Sequence, residues 1–174
     1  MNRHIHLIGI GGIGMSGIAR ILLSKGIKVS GSDIKETKTL EDLRRLGVDV
    51  YLGHNPSNIK GAGLVVYSSA IGQDNPEIKE AKRYNIPVIK RAQMLARLMQ
   101  DKRVITVTGA HGKTTTASLV SYLLLEAGLS PTVAVGGILH NLDSNAYFGG
   151  GLFFIAEADE SDGSFLYYKP DYSI

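Results

Sequence analysis

Cysteine is absent from this chain of 174 residues, so it can build neither a disulfide framework nor a thiolate metal site. No apolar run approaches the roughly 20 residues that a membrane span needs. A strong charge of either sign is also missing: the formal net charge of +3 is too small to argue for nucleic acid. The opening, MNRHIHLIGIGG, passes from a short apolar run into glycines and a helical pattern, which does not read as a signal peptide. The expectation from these absences is a cytoplasmic protein whose partners are neither membranes nor nucleic acids.

What is present is ordinary in bulk and informative in arrangement. An apolar share of 44% beside 20% charged residues suits a globular protein. Residues 1–100 carry 15 Lys and Arg against 8 Asp and Glu, whereas residues 101–174 carry 4 against 8. A basic first part suits anionic ligands, and an acidic second part could hold a metal ion. Scattered solvated charge explains the same counts.

Apolar runs alternate with helical periods along the chain, the pattern of an α/β fold. IHLIGI is nearly continuous in apolar residues, as in a central parallel strand covered on both faces. Ile18, Ile21 and Leu22 then follow at helical spacing up to Gly26. Strands are expected at IKVSGSD, VDVYL, GLVVYSSAI and IPVIK. Helices are expected around Leu40 and Leu43, after the Asn75–Pro76 start signal, and at AQMLARLMQ. A second series begins with the strand RVITVTG and the helix TTTASLVSYLLLEAG, for which Leu119, Val120, Leu123 and Leu124 are expected to face inward. SPTVAVGG and GLFFIAEAD read as further strands, with an irregular glycine-rich stretch between them. YYKPDYSI reads as the entry to another strand with nothing to close it, so a truncated second domain is expected. The fold class is therefore a Rossmann-like parallel-sheet domain over residues 1–99, then the incomplete start of a P-loop-type α/β ATPase domain over residues 100–174.

Two glycine clusters carry the chemistry. Gly9, Gly11 and Gly14 follow a strand and open a helix, where glycine permits a tight turn and brings backbone close to phosphate. Asp33, at the end of the next strand, stands where an acid can bind a ribose hydroxyl. A nicotinamide or flavin dinucleotide, another nucleotide, and tight packing alone all fit this cluster. Ser68 and Ser69 end a later strand and could line the same crevice, or simply make a turn.

The second cluster, TGAHGKTTT, has two residues between Gly109 and Gly112 where the common triphosphate loop has four. Phosphate binding needs converging N–H groups, a helix N-terminus and a lysine, and Gly109, Gly112 and Lys113 supply these from a shorter turn. Thr114 is placed as a hydroxyl ligand for Mg²⁺. His111 could touch a phosphate or be merely solvated. Downstream, Glu157 is the first acid after an apolar strand, in position to face the metal of a phosphate loop, with Asp159, Glu160 and Asp162 close behind.

GIGGIGMSGIA, SSAI, TGAHGKTTT and AEADESD occur in an order that resembles the Mur ligase family of peptidoglycan synthesis, over essentially the whole chain. The resemblance is to the branch that adds the first amino acid. It implies that the first domain holds the UDP of UDP-N-acetylmuramate, with Gly11, Gly12, Gly14 and Ser16 around the diphosphate. Asp33 would lie toward the uridine, Ser68, Ser69, Ala70 and Ile71 would line the site, and His54 is a weaker candidate. Gly109, Ala110, His111, Gly112, Lys113, Thr114 and Thr115 would surround ATP, and Thr114 and Glu157 would hold Mg²⁺. The acids and Ser161 of EADESD, with Asn145, could reach the muramyl group. The reaction implied is phosphorylation of the lactyl carboxylate by ATP, then attack by the amine of L-alanine on the acyl phosphate. A chain ending here is expected not to complete ligation alone. An NAD(P)-dependent oxidoreductase, a relative that attaches a whole peptide to the same UDP-sugar, and a non-catalytic module are the alternatives.

Overall fold

In the computed structural model, which describes residues 4–139, 144–158 and 163–174, the chain forms two compact units. They part between Arg91 and Ala92.

The first unit is a five-stranded parallel sheet in the order β3-β2-β1-β4-β5, from β1 (His4–Ile8), β2 (Lys28–Asp33), β3 (Asp49–Leu52), β4 (Leu64–Tyr67) and β5 (Val88–Lys90). Helices α1 (Ile13–Ser24), α2 (Lys38–Arg45) and α3 (Pro76–Arg83) and a 3₁₀ turn (Pro56–Ile59) connect the strands. The strand order reverses between β1 and β4, which places the ligand crevice of such a sheet beyond the carboxyl ends of those two strands. The local signals act as read. Asn75 caps α3 by accepting from the Glu77 and Ile78 N–H groups, and Gly26 takes φ +71° just after α1, a conformation that costs glycine nothing. Ile8, Val65, Ile78 and Ala81 form one buried cluster with Ile59. Fully burying a side chain of this size contributes about 1.5–3 kcal/mol.

Helix α4 (Arg91–Leu98) starts at the boundary, and its Met94, Leu95 and Leu98, in the second unit, are buried as expected. The sheet of that unit runs β10-β6-β9-β7-β8, from β6 (Arg103–Val107), β7 (Thr132–Leu139), β8 (Ser144–Tyr147), β9 (Phe153–Glu157) and β10 (Tyr172–Ser173). β8 is antiparallel to β7 and lies inside the stretch expected to be irregular. Helix α5 (Lys113–Glu126) follows β6.

Two of the expected inward residues of α5 face out: Leu119 and Leu123 are 58% and 56% exposed. The helix presents Ala117 and Ser121 to the core instead, flanked by the partly buried Val120 and Leu124. A small-residue stripe lets the helix lie close on β6, β7 and β9, and the Ser121 hydroxyl satisfies itself on Ala117 O at 2.6 Å.

Candidate functional site

The first glycine loop is drawn tight by its own backbone. Gly9 (φ +80°) and Ile10 both donate to Ser32 O, at 2.8 and 3.1 Å, and Gly12 donates back to Gly9 O at 3.2 Å. Helix α1 then starts with Gly12 as its N-cap, a residue with no side chain to cap it. An uncapped helix N-terminus with bare backbone in front of it is suited to an anion. A Cβ at Gly9 would come within 3.1 Å of Ser68 Cβ, so the loop and the SSAI turn meet at the reversal of strand order. Ser69 and Ala70 are exposed there, while Ser68 N–H is held on Ile8 O and its hydroxyl oxygen accepts from Ala70 N–H.

Asp33 serves the loop directly. Its Oδ2 accepts from Gly11 N–H at 2.9 Å and its Oδ1 from Lys35 N–H at 3.2 Å. Gly11 is required by this contact, because a Cβ would stand 2.9 Å from the same carboxylate oxygen. Ser16 is buried in α1, with its hydroxyl donating to Ile13 O at 2.9 Å. Sequence reasoning passed over Arg91. A Cβ on Gly14 would be 2.5 Å from Arg91 Nη1, so a guanidinium lies against the first turn of α1. An arginine far along the chain carries no signal that it folds back there.

Beneath the same sheet is a buried acid in the first turn of α3, which the start signal at Asn75–Pro76 does not single out. Glu77 is fully buried. Its Oε2 accepts from the Ser32 hydroxyl at 2.6 Å, and its Oε1 from Asn58 Nδ2 at 2.6 Å and from Asn55 N–H at 3.4 Å. His6 Nε2 stands 3.7 Å away, too far for a hydrogen bond, and His54 Nδ1 3.3 Å away. Burial pushes the carboxyl up, but His6, Ser32 and Asn58 together outweigh it and hold Glu77 below the usual carboxylate range. On the other side, Ser30 bridges His4 Nε2 and His6 Nδ1, each at 2.8 Å. Burial is the main cause of a lowered pKa at His4.

In the second unit, residues 108–112 make an exposed turn between β6 and α5. Gly109 (φ +132°) and Gly112 (φ +78°) take conformations that L side chains rarely adopt, and Gly112 is the N-cap of α5. Lys113 Nζ reaches back to donate to Gly109 O at 2.8 Å, closing a ring over the turn. Glu157 is in register with Val107 on the adjacent parallel strand, so it stands beside the base of this loop. Its Oε1 accepts from Gly136 N–H at 3.1 Å.

The next residue, Gly137, lies against Thr114: a Cβ there would be 2.7 Å from Thr114 Cγ2. The glycine pair of β7 thus borders both Thr114 and Glu157. His111 is exposed, and Asn145 is buried on β8. Asp159, Glu160, Ser161 and Asp162 lie outside the described residues. Among the described residues no group of three His, Asp or Glu gathers as a metal site. A hydroxyl and one carboxylate still fit Mg²⁺, which keeps waters and takes further oxygens from phosphates.

Each unit therefore sets a glycine turn and a helix N-terminus capped by glycine at the carboxyl end of a largely parallel sheet, the arrangement of an α/β protein with two phosphate-type loops. The chain belongs to the Mur ligase family: residues 4–103 match the family model described as "Mur ligase family, catalytic domain". It is 57% identical over 168 residues to a UDP-N-acetylmuramate–L-alanine ligase of Aquifex aeolicus, covering 97% of this chain and 37% of that protein. A solved UDP-N-acetylmuramate-alanine ligase of Thermotoga maritima superimposes with a TM-score of 0.91 at 37% identity, over 98% of this chain and 40% of that one. The UDP-N-acetylmuramate:L-alanyl-gamma-D-glutamyl-meso-diaminopimelate ligase of Neisseria meningitides gives 0.92 at 32%, over 99% and 60%. The chain spans little more than a third of the length of the curated relatives it matches. The oxidoreductase reading of the first glycine cluster finds no favour in these matches, all of which are ligases.

Proposed function

We propose that this chain is the UDP-sugar- and ATP-binding part of a ligase that joins L-alanine to the lactyl carboxylate of UDP-N-acetylmuramate. The observation that carries this reading is the short loop Gly109–Thr114, with Glu157 in register beside its root, in a chain so similar to enzymes of that name. The first unit would take the diphosphate on the Gly9–Gly14 turn and the N-terminus of α1, with Ser68, Ser69, Ala70 and Ile71 along the crevice. Asp33 holds that turn in shape through Gly11 N–H, and offers its remaining lone pairs toward the uridine.

In the second unit Lys113 would exchange Gly109 O for the phosphate oxygens and offset charge on the transferred phosphoryl group. The first N–H groups of α5 would position the triphosphate. Thr114 and Glu157 would hold Mg²⁺, which neutralises charge on the β- and γ-oxygens when bound. The lactyl carboxylate would then be phosphorylated, and the amine of L-alanine would displace phosphate from the acyl phosphate to leave an amide.

Separate calorimetric titrations with UDP-N-acetylmuramate, Mg²⁺-ATP and NADH test this. Binding of the first two is expected. Tight binding of NADH with none of the UDP-sugar would overturn it.

A further inference from the structure

The polar cluster under the first sheet is not needed by either phosphate loop, yet it leads out to the carboxyl edge. Its hydrogens can be placed by elimination. An ionised carboxylate only accepts, so the single hydroxyl hydrogen of Ser32 goes to Glu77 Oε2 at 2.6 Å. The Ser32 oxygen is then an acceptor toward His54 Nδ1 at 3.0 Å, which must carry a hydrogen. The 3.3 Å approach of the same nitrogen to Glu77 Oε2 demands the same tautomer.

With Nδ1–H turned inward, a neutral ring leaves its lone pair on Nε2. Among the described residues nothing bonds that atom, and it is not among the sealed polar atoms of the core. The side chain keeps 16% of its surface exposed. Its place is the carboxyl edge of the sheet, since Gly53 N–H, one residue before His54, donates to Asp33 O at 2.7 Å. The remaining donors at Glu77, from Asn58 and Asn55, are taken up by its other oxygen, and His6 faces it from β1 without a hydrogen bond. The acid is thus walled off from ligand and acts outward through Ser32 and His54.

We infer that Glu77 is a positioning residue: through Ser32 it fixes His54 with Nδ1–H inward, so that Nε2 presents an acceptor to a hydroxyl or imide N–H of the bound nucleoside. This rests on the UDP-sugar reading of the first unit.

Two measurements test it. The ¹⁵N signals of the neutral His54 ring, recorded at the high-pH plateau of a titration of the native chain, should show a protonated Nδ1 and a bare Nε2, and Ser32→Ala or Glu77→Gln should mix the tautomers. Calorimetry with UDP should show a loss of about three- to tenfold in affinity for Ser32→Ala, the worth of one hydrogen bond. His54→Gln, which keeps an acceptor oxygen, should retain more affinity than His54→Ala. Ser32→Ala removes little bulk, so it remains informative if Glu77→Gln fails to fold. A hydrogen on Nε2 of the neutral ring in the native chain, or an unchanged UDP affinity in Ser32→Ala, overturns the inference. Failure of the native chain to bind any UDP compound would instead sink the function proposed above, while the nitrogen signals still judge the relay.

Discussion

Gly137→Ala is expected to damage the second unit through one methyl group, and a second substitution should repair it. The φ angle at Gly137 is not in the left-handed region, so alanine is allowed by the backbone. The obstacle is steric: the new Cβ would lie 2.7 Å from Thr114 Cγ2, about 1 Å inside the normal contact of two carbons. Thr114 sits in the first turn of α5, so relief requires an off-rotamer threonine or a shift of the helix start. Overpacking of this kind costs about 1–3 kcal/mol. Replacing glycine in a strand interior returns about 0.5–1 kcal/mol of that. The net loss, about 0.5–2 kcal/mol, lowers the melting temperature of a unit of this size by about 4–8 °C per kcal/mol. Thr114→Ser removes Cγ2 and keeps the hydroxyl. In that background Gly137→Ala should therefore become neutral or slightly stabilising, with a coupling energy of about 1–2 kcal/mol in the double-mutant cycle. Calorimetric melting of the four proteins reads this directly, and Mg²⁺-ATP affinity should fall in Gly137→Ala and recover in the double variant. An undiminished penalty in the Thr114→Ser background would refute the contact as the cause.

Gly31→Ala should be far worse, because its Cβ would meet backbone, 2.6 Å from Leu7 O, as well as Ile10 Cδ1 at 2.5 Å; a loss of about 3 kcal/mol or more is expected in urea denaturation, and a nearly native midpoint would contradict it. Lys113→Ala gives up a hydrogen bond to Gly109 O at the mouth of an exposed turn, so the melting temperature should hardly move while Mg²⁺-ATP affinity falls about 10- to 100-fold; equal ATP affinity in calorimetry would remove Lys113 from the site. Glu77 titrates below the usual carboxylate range in the folded chain, so its contribution is complete above that range. As pH falls, the unfolded state takes up the proton first and this stability is lost down to the folded pKa. Glu77→Gln should accordingly be less stable at pH 7, by about 1.5–3 kcal/mol for the charge-assisted bonds it weakens, and show a flatter acid limb. An unchanged slope between pH 5 and 3 would count against an ionised buried acid.

What could be read from the sequence was whatever is encoded locally. IHLIGI, GLVVYSS and RVITVTG are apolar runs bounded by glycine or serine, and each is a buried parallel strand because both faces are covered. The Asn75–Pro76 start is a cap because the asparagine oxygen is within reach of the next N–H groups, wherever the helix packs. The turn at Gly109–Gly112 was likewise legible, since the two glycines mark the positive φ angles that the short loop uses. β8 was not legible. SNAY is short and mostly polar, and it becomes a strand only by pairing with β7. The inward face of α5 failed for a related reason. Its apolar residues surround the helix, so periodicity names no face, and the strands beneath choose the small stripe of Ala117 and Ser121.

The buried acid shows where a finer reading would have succeeded. His4 and His6 alternate along β1, and Ser30 and Ser32 alternate along the strand beside it, in register as His4↔Lys28 through Ile8↔Ser32. Alternation sends all four to one face of the sheet. A central sheet with a polar row on a covered face must find partners for that row, since each unpaired group costs about 1–3 kcal/mol. The sequence therefore called for a polar or charged residue on the crossing elements, and Glu77, Asn58 and His54 are those residues. Each looks unremarkable alone: a first-turn acid, a turn asparagine, a histidine after a glycine. Their meaning comes from two crossings of the chain, between β3 and β4 for His54 and Asn58 and between β4 and β5 for Glu77, which no local pattern records. The first of these crossings is also what carries a fixed histidine to the sheet's carboxyl edge. The demand for buried satisfaction and the proposed recognition of a nucleoside thus have the same physical origin.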